Sequence, residues 1–296
     1  MTLRLSDAYK AQIDKAKFDN VIVASGVNFA DALAGSYLAA KKSAPILIVN
    51  DANIANVTAY IKENVHKNGT VYILGGNRAV SSKMESGLGS YNVKRLAGNN
   101  RYATNLQILD EADVWEDDIL ICTGNNFADS LSASASGKAI MLVKDQLTED
   151  QLTFIKGHRY NKYYILGGDK AVTKAVENEI NKIVKTERIA GASRYETSTM
   201  IAEAFFENPD TAVFAFANNF PDGLCAGPLA YGLNAPVILT ATGRTDAAVE
   251  YIKNAKVVKG VVCGGSGLIS NSDIRKIYDL DDKISITDWS QGKLFD

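Results

Sequence analysis

The stretch Asn28-Phe29-Ala30-Asp31 recurs as Asn126-Phe127-Ala128-Asp129 and again as Asn219-Phe220-Pro221-Asp222. Each copy follows a continuous apolar run, and each precedes a helix-like segment of small residues and a second apolar run. Continuous apolar runs that alternate with helical patterns are typical of parallel sheets covered by helices. The sequence therefore predicts an α/β protein built from three repeated units.

Two further motifs recur in the same order along the chain. A third apolar run ends in a glycine pair, at Gly75-Gly76, Gly167-Gly168 and Gly264-Gly265. A strand-like element that ends in Arg-Tyr occupies residues 95–102 and 188–195. Four ordered motifs at one period predict three tandem Rossmann-like units, each a small parallel sheet flanked by helices.

The repeat period places the units at residues 1–94, 95–187 and 188–296. Residues 4–6 resemble a degenerate copy of the strand-like element found at 95–98 and 188–191. Residues 284–287 resemble another such copy and are expected to form a strand that closes the third sheet. The connections between units are short, so we expect the units to pack together as an intrachain pseudo-threefold trimer.

Composition excludes several functional classes. The 296 residues are 46% hydrophobic and 22% charged, with a formal net charge of −2, which argues against disorder and against a strongly basic nucleic-acid binder. No apolar run is long enough to predict a membrane span. The first residues lack the apolar core of a signal peptide, so the sequence fits a cytosolic protein or the mature part of a secreted one.

Cysteine and histidine give no support for catalysis. Cys122, Cys225 and Cys263 lack metal-ligand spacing and are expected to be buried, reduced thiols. His66 and His158 are expected in loops before the third strand of their units, at the edge opposite the predicted site. No nucleophile, carboxylate pair or complete nucleotide fingerprint recurs. No catalytic residue, metal site or cofactor is therefore predicted.

In open parallel sheets, ligands bind at the carboxyl ends of the strands, and the repeated tetrapeptide follows such an end. Its Asn and Asp have two open interpretations. They cap the next helix and complement its dipole, or they also hold a polar ligand such as a sugar. The candidates are Asn28, Asp31, Asn126, Asp129, Asn219 and Asp222.

The glycine pairs and the Arg-Tyr pairs are also candidate ligand residues. Gly75, Gly76, Gly167 and Gly168 form either a tight turn or a loop whose N–H groups, within residues 75–80 and 167–172, bind an anion. A guanidinium holds phosphate or carboxylate through paired hydrogen bonds and a neighbouring ring stacks, but an ion pair with a tetrapeptide Asp of another unit is equally open. The candidates of this second kind are Arg101, Tyr102, Arg194 and Tyr195. The arginines inside the preceding strand are expected to be structural, namely Arg95 and Arg188.

Together these motifs resemble the cell-wall-binding type 2 repeat, which occurs in surface-layer and other wall proteins of clostridia and related Gram-positive bacteria. The likeness covers about residues 4–280. It implies a triangular pseudo-trimer that anchors without catalysis to an anionic secondary wall polysaccharide resembling teichoic acid. It also implies a secreted protein of the cell wall or surface layer, usually joined to a separate effector domain for which the repeats leave no room here. Nucleic acid and membrane are not implied as partners.

The copies depart from the family pattern in different ways. The first unit lacks the Gly-x-x-Arg of its first motif, the second has a shortened helix without a proline before residue 139, and the third carries Pro221. If each site needs all its motifs, the three sites are expected to be unequal, with the first unit the weakest. Two other functions stay open at this point, a glycosyl or nucleotidyl transferase on a Rossmann-like scaffold and a self-assembling surface-layer protein.

Overall fold

The computed structural model describes residues 2–281, so the predicted closing strand at 284–287 lies outside the described residues. The first unit contains α1 (Thr2–Gln12), β1 (Phe18–Ser25), α2 (Ala30–Lys42), β2 (Ile46–Val49), α3 (Ile54–Asn64), β3 (Val65–Leu74), α4 (Lys83–Ser86) and β4 (Asn92–Leu96). The second contains α5 (Arg101–Ala112), β5 (Ile119–Thr123), α6 (Ala128–Ala133), β6 (Ala139–Val143), α7 (Glu149–Gly157), β7 (Tyr163–Leu166), α8 (Lys174–Asn181) and β8 (Thr186–Ile189). The third contains α9 (Arg194–Phe205), β9 (Thr211–Phe216), α10 (Ala226–Gly232), β10 (Val237–Thr240), α11 (Asp246–Ala255), β11 (Lys259–Cys263) and α12 (Asn271–Tyr278).

Each unit has its own parallel sheet with the same strand order. The orders are β2-β1-β3-β4, β6-β5-β7-β8 and, within the described residues, β10-β9-β11. Every residue of the central strand β5 is buried, as its continuous apolar run predicts, because helices cover both faces. The predicted α/β class with three small parallel sheets is confirmed.

The strands that contain Arg95 and Arg188 pair with the sheet of the preceding unit. Arg95 lies opposite Ile73 of β3, and Arg188 lies opposite Ile165 of β7. Boundaries drawn by hydrogen bonding therefore follow residues 96 and 189, slightly later than the repeat boundaries at 94/95 and 187/188.

The units contact one another head to tail in a closed ring. Helix α2 packs on α5, α6 packs on α9, and α10 packs on α1, so each unit contacts the other two. The amide of Gln12 donates to the carbonyl of Gly232 at 3.3 Å, which joins the first unit to the third. One continuous apolar core runs through all three units. The predicted pseudo-threefold packing is therefore present.

Three sequence expectations about local structure meet different outcomes. All three cysteines are free and buried, as expected, and burial raises the pKa of Cys225 to about 11. Helix α6 is short, also as expected. The placement of His66 in a loop is wrong, because His66 lies within β3. Among residues 2–281, no helix has the length and apolar character that a bilayer span requires.

Candidate ligand site at the unit boundaries

The repeated Asn residues stabilise the start of the following segment. The side-chain oxygen of Asn28 accepts from the N–H of Ala30, and that of Asn126 accepts from Ala128, both at 3.2 Å. The N-cap residues of α2 and α6 are Phe29 and Phe127, so each Asn lies one residue before the cap and binds the first N–H of the helix through a turn, not as the predicted N-cap itself. Asn219 differs, because it accepts from its neighbour Phe220 at 2.9 Å.

The expectation that the third tetrapeptide leads directly into a helix is wrong. Helix α10 begins at Ala226, and turns occupy residues 221–225. A Cβ on Gly223 would stand 2.8 Å from a methyl carbon of Leu131 in the second unit. The second unit therefore packs closely against this segment at Gly223, where a larger side chain would not fit. Glycine also has a low helix propensity, which favours turns over a helix here.

The phenylalanines of the three tetrapeptides meet on the pseudo-threefold axis. The ring centroids are 6.3 Å apart for Phe29 and Phe127, 5.8 Å for Phe29 and Phe220, and 5.7 Å for Phe127 and Phe220. Each pair is edge-to-face with a 62° interplanar angle, an arrangement that aromatic rings prefer. The repeated motif therefore joins the units at their centre.

The Asp of each tetrapeptide lies beside the glycine pair of its own unit. Gly75 and Gly167 both have φ of +90°, and a Cβ on either would stand 2.4 Å from an oxygen of Asp31 or Asp129 respectively. Only glycine fits, because of both the backbone angle and the carboxylate. The third pair is looser, since the Cβ position of Gly264 is 3.5 Å from Asp222.

The glycine loops behave mainly as turns. The N–H of Gly75 donates to the carbonyl of Leu96 at 2.8 Å, and the N–H groups of Ala79 and Val80 donate to Gly76. The second unit repeats this pattern at Gly167, Ala171 and Val172. These N–H groups are therefore already paired, which narrows the anion-binding interpretation to the middle of each loop.

Arg101 and Arg194 cross unit boundaries. Nη1 of Arg101 donates to the carbonyl of Gly124, and the guanidinium carbon lies 5.3 Å from the ring centroid of Phe29 in the first unit. Nη1 of Arg194 donates to Ala217 at 2.5 Å, and its guanidinium lies 5.7 Å from the ring of Phe127 in the second unit. Each arginine therefore stacks on a phenylalanine of the preceding unit.

Neither arginine forms an ion pair within residues 2–281, so the direct Arg–Asp pair considered from the sequence does not occur there. The charges still act on each other. Burial raises the pKa of Asp31 and of Asp129, and the nearby guanidinium, Arg101 or Arg194, partly opposes that rise. The boundary between the first and second units and the boundary between the second and third thus each combine a largely buried carboxyl with an arginine whose other N–H groups have no protein partner among the described residues.

We expect Asp129→Asn to stabilise the protein at pH 7. The raised pKa means that the folded state disfavours the ionised carboxyl relative to the unfolded chain, in which Asp has a pKa of about 3.9. The free energy of unfolding is therefore highest below the unfolded pKa, where Asp129 is protonated in both states, and it falls as the pH rises through the folded pKa. The melting temperature of Asp129→Asn should exceed that of the native chain at pH 7 and approach it towards pH 4.

Asp246→Asn is the matched control for this prediction. Asp246 is exposed, and its hydrogen bond with Lys276 lowers its pKa, so removing the charge should give no stabilisation at pH 7. A melting temperature of Asp129→Asn at or below that of the native chain across pH 4–7 would show that burial does not disfavour the Asp129 charge.

The tyrosines that follow Arg101 and Arg194, and the arginines of the preceding strands, pack against or bind the loops of the candidate site and the core. The ring of Tyr102 packs on Gly124, where a Cβ would stand 2.5 Å from a ring carbon, and Tyr195 packs against the core. Arg95 donates to the carbonyls of Gly75 and Val80 and to Glu85. Arg188 donates to the equivalent groups of the second unit, namely Gly167, Val172 and Glu177. Both arginines therefore have the structural role expected from the sequence.

The third boundary is different. Thr2 of α1 bonds to the backbone of β2 through Ile46 and Ile48, as Asn105 of α5 bonds to β6. Thr2 in α1 is therefore equivalent to Asn105 in α5. Asn105 lies four residues after Arg101. Within residues 2–281, no arginine stacks on Phe220, whereas Arg101 and Arg194 stack at the other two boundaries.

The sequence interpretation missed the central role of the phenylalanines. It treated Asn and Asp as the informative residues, although Phe is the one apolar side chain common to all three tetrapeptides. A phenylalanine that recurs in all three copies of a polar loop could have indicated a shared buried contact. The sequence interpretation also missed the side-chain hydrogen bonds that join the first helix of each unit to the backbone of a strand, because the residue type differs between units. The residues are Thr2, Asn105 and Ser198.

Three stretches of the chain match the family Cell wall binding domain 2 (CWB2), at residues 6–85, 95–177 and 188–274. Since these stretches make up most of the chain, it belongs to that family, as three tandem copies. The predicted likeness is therefore confirmed, and the chain has a cell-wall-binding role.

Similar proteins place these repeats within longer chains. The chain is 29% identical over 244 residues to the amidase enhancer of Bacillus subtilis (strain 168), covering 80% of this chain and 33% of the relative. It is 29% identical over 197 residues to the N-acetylmuramoyl-L-alanine amidase LytC of the same organism, covering 64% and 40%. The chain thus spans less than half the length of either curated relative.

Two solved structures share the fold. Cwp8 from Clostridium difficile has a TM-score of 0.80 at 26% identity, covering 93% of this chain and 50% of that one. Cwp6 from Clostridium difficile has a TM-score of 0.77 at 25% identity, covering 93% and 46%. The surface-layer and wall context expected from the sequence fits these neighbours.

Proposed function

We propose that the chain anchors a protein to the cell wall by binding an anionic secondary wall polysaccharide, similar to teichoic acid, at its unit boundaries. The observation that carries this proposal is the pair of guanidiniums, Arg101 and Arg194, that lie at the carboxyl edge without an ion pair in the described residues. A half-buried guanidinium that lacks a counterion favours a phosphate or carboxylate ligand.

Each arginine is already positioned for such a ligand. One nitrogen is fixed by a carbonyl of its own unit, and the plane is held over a ring of the preceding unit. The remaining N–H groups keep the fork geometry that a bidentate anion requires. Because little side-chain freedom is left to lose, binding costs less entropy than it would at a free arginine.

Polar groups around the arginines suit the sugar part of the polymer. The exposed Asn of each tetrapeptide and the open second glycine lie at the same edge and provide acceptors and donors for hydroxyl groups, while the more buried Asp of each tetrapeptide lies behind them. The three boundaries belong to one rigid ring, so weak contacts with successive polymer repeats add as avidity. The third boundary contributes without an arginine in the described residues and is the weakest of the three.

The module acts without catalysis and localises a separate effector to the wall. The relatives support this role, since one is named an amidase enhancer and the other an amidase, and this chain matches only part of each. The same proposal implies a secreted protein that its wall polymer holds at the cell wall.

The test is retention on purified Gram-positive walls before and after acid removal of the anionic polymer. We expect strong retention on untreated walls, much weaker retention on stripped walls, and release from untreated walls by salt, because exposed charge contacts are screened. Equal retention on stripped walls would place the ligand in the remaining glycan and would contradict the anionic polymer. A thermal shift with nucleotide sugars would instead favour the transferase alternative.

A further inference from the structure

Two aromatic rings project from the edge opposite the arginines. Trp115 is 73% exposed and Tyr160 is 85% exposed, more than any other aromatic side chain in the part of the chain that the structure describes. Trp115 lies in the loop before β5, and Tyr160 lies in the loop before β7. Both loops therefore lie at the amino ends of the second sheet's strands, away from the site proposed above.

A side-chain amide ties the two loops together. Nδ2 of Asn161 donates to the carbonyl of Trp115 at 3.4 Å and to that of Asp117 at 2.6 Å. Asp117 in turn accepts from the hydroxyl of Tyr37 and from Lys41, on α2 of the first unit. The loop that carries Trp115 is thus fixed from both sides.

The second ring is held in place by its neighbour. The guanidinium of Arg159 lies 4.5 Å from the ring centroid of Tyr160, and Nη2 donates to the Tyr160 hydroxyl at 2.9 Å. Arg159 therefore covers one face of the ring and leaves the other face to solvent. A ring fixed in this way loses little entropy when a ligand stacks on it.

We infer that Trp115 and Tyr160 form a stacking platform for the pyranose rings of a neutral glycan. The apolar C–H face of a pyranose fits an aromatic ring, and its rim of hydroxyl groups fits the polar groups around these rings. Those groups are Glu116, Arg159, Asn161 and Lys162.

The surroundings favour a glycan over a protein partner. A stable protein interface covers about 800 Å² on each side, and its centre is depleted of charge. Here Glu116, Arg159 and Lys162 are chain neighbours of the two rings, so neither loop presents a continuous apolar stretch. A sugar chain needs only the ring faces. The platform extends the proposed function, since it would contact wall glycan independently of the anionic polymer.

Tryptophan fluorescence tests the inference directly. The chain has two tryptophans, so Trp289→Phe leaves Trp115 as the reporter in the full chain. The probes are a tetrasaccharide of N-acetylglucosamine and maltotetraose. We expect at least one to shift Trp115 emission to shorter wavelength in a saturable way. Absence of a shift with both, up to millimolar sugar, would overturn the inference.

A second variant tests whether the sugar needs both rings. Tyr160→Ala in the same background should weaken the response about tenfold or more. Val258→Ala is the control, because Val258 is 72% exposed at the equivalent edge of the third unit, and it should leave the response unchanged. An equal response in Tyr160→Ala would overturn the two-ring platform.

The arginine site is tested apart from the platform. Arg101→Ala with Arg194→Ala should leave the fluorescence response intact even where wall retention is lost. Failure of polymer binding therefore does not imply failure of the platform, and the reverse also holds. A shift that depends on protein concentration without sugar would show self-association through the rings and would overturn the inference.

Discussion

Replacing Arg101 and Arg194 together by alanine should lower affinity for untreated walls by about 100-fold or more. A hydrogen bond to a charged group contributes about 1.5–3 kcal/mol, and the double variant loses at least one such contact at each of two boundaries. The measurement is the amount of protein retained on walls as its concentration is varied at fixed salt. Linked contacts make the combined loss larger than that of either single variant.

The double variant must be compared with one that loses equal charge elsewhere. Arg4→Ala with Lys253→Ala removes two exposed positive charges, from α1 and α11. Retention of this control should stay within a few-fold of the native chain. If both double variants bind alike, the effect comes from net charge, and the specific roles of Arg101 and Arg194 are wrong.

Lysine substitution separates charge from geometry. Arg101→Lys with Arg194→Lys keeps both positive charges but replaces each planar fork with a point charge. We expect affinity between those of the native chain and the alanine variant. Native affinity in the lysine variant would show that charge suffices and that paired hydrogen bonding contributes nothing. Thermal unfolding of each variant checks that the ring of units is intact, since each lost cation–π contact costs about 0.5–2 kcal/mol.

The sequence predicts the architecture of each unit because the information is local. Continuous apolar runs such as 119–123 specify buried parallel strands, and glycine at 75 and 167 marks turns with positive φ. Repetition then multiplies this local evidence by three. The start of α10 at Ala226 escapes prediction because it depends on Gly223 packing against Leu131 of another unit.

The candidate site depends on how units are arranged, which no local pattern records. The sequence identifies Arg101 and Asp31 as unusual, but they belong to different units and come together only when the first two units pack on each other. The same is true of the phenylalanines, whose spacing of over 90 residues gives no indication that they touch. A pseudo-threefold axis converts identical positions in three repeats into neighbours, and this step requires the structure.

Phe127→Ala should lower the free energy of unfolding by about 3–5 kcal/mol, the usual cost of removing a buried phenylalanine. Phe127 is 9% exposed, contacts the rings of Phe29 and Phe220, and lies under Arg194. The loss combines the cavity, two edge-to-face contacts and a cation–π contact between units. Denaturant unfolding followed by circular dichroism and by fluorescence measures the change.

Phe154→Ala is the matched control, because it removes the same side chain from the same unit and its ring contact, with His158, lies within that unit. Phe154 is partly buried on α7 and stacks on His158 at 4.0 Å. Its replacement should cost clearly less. Because one apolar core joins the units, the native chain should unfold in a single transition, and Phe127→Ala should weaken that coupling. Equal losses in the two variants, with a single transition in both, would mean that the central phenylalanines fill space without holding the ring together.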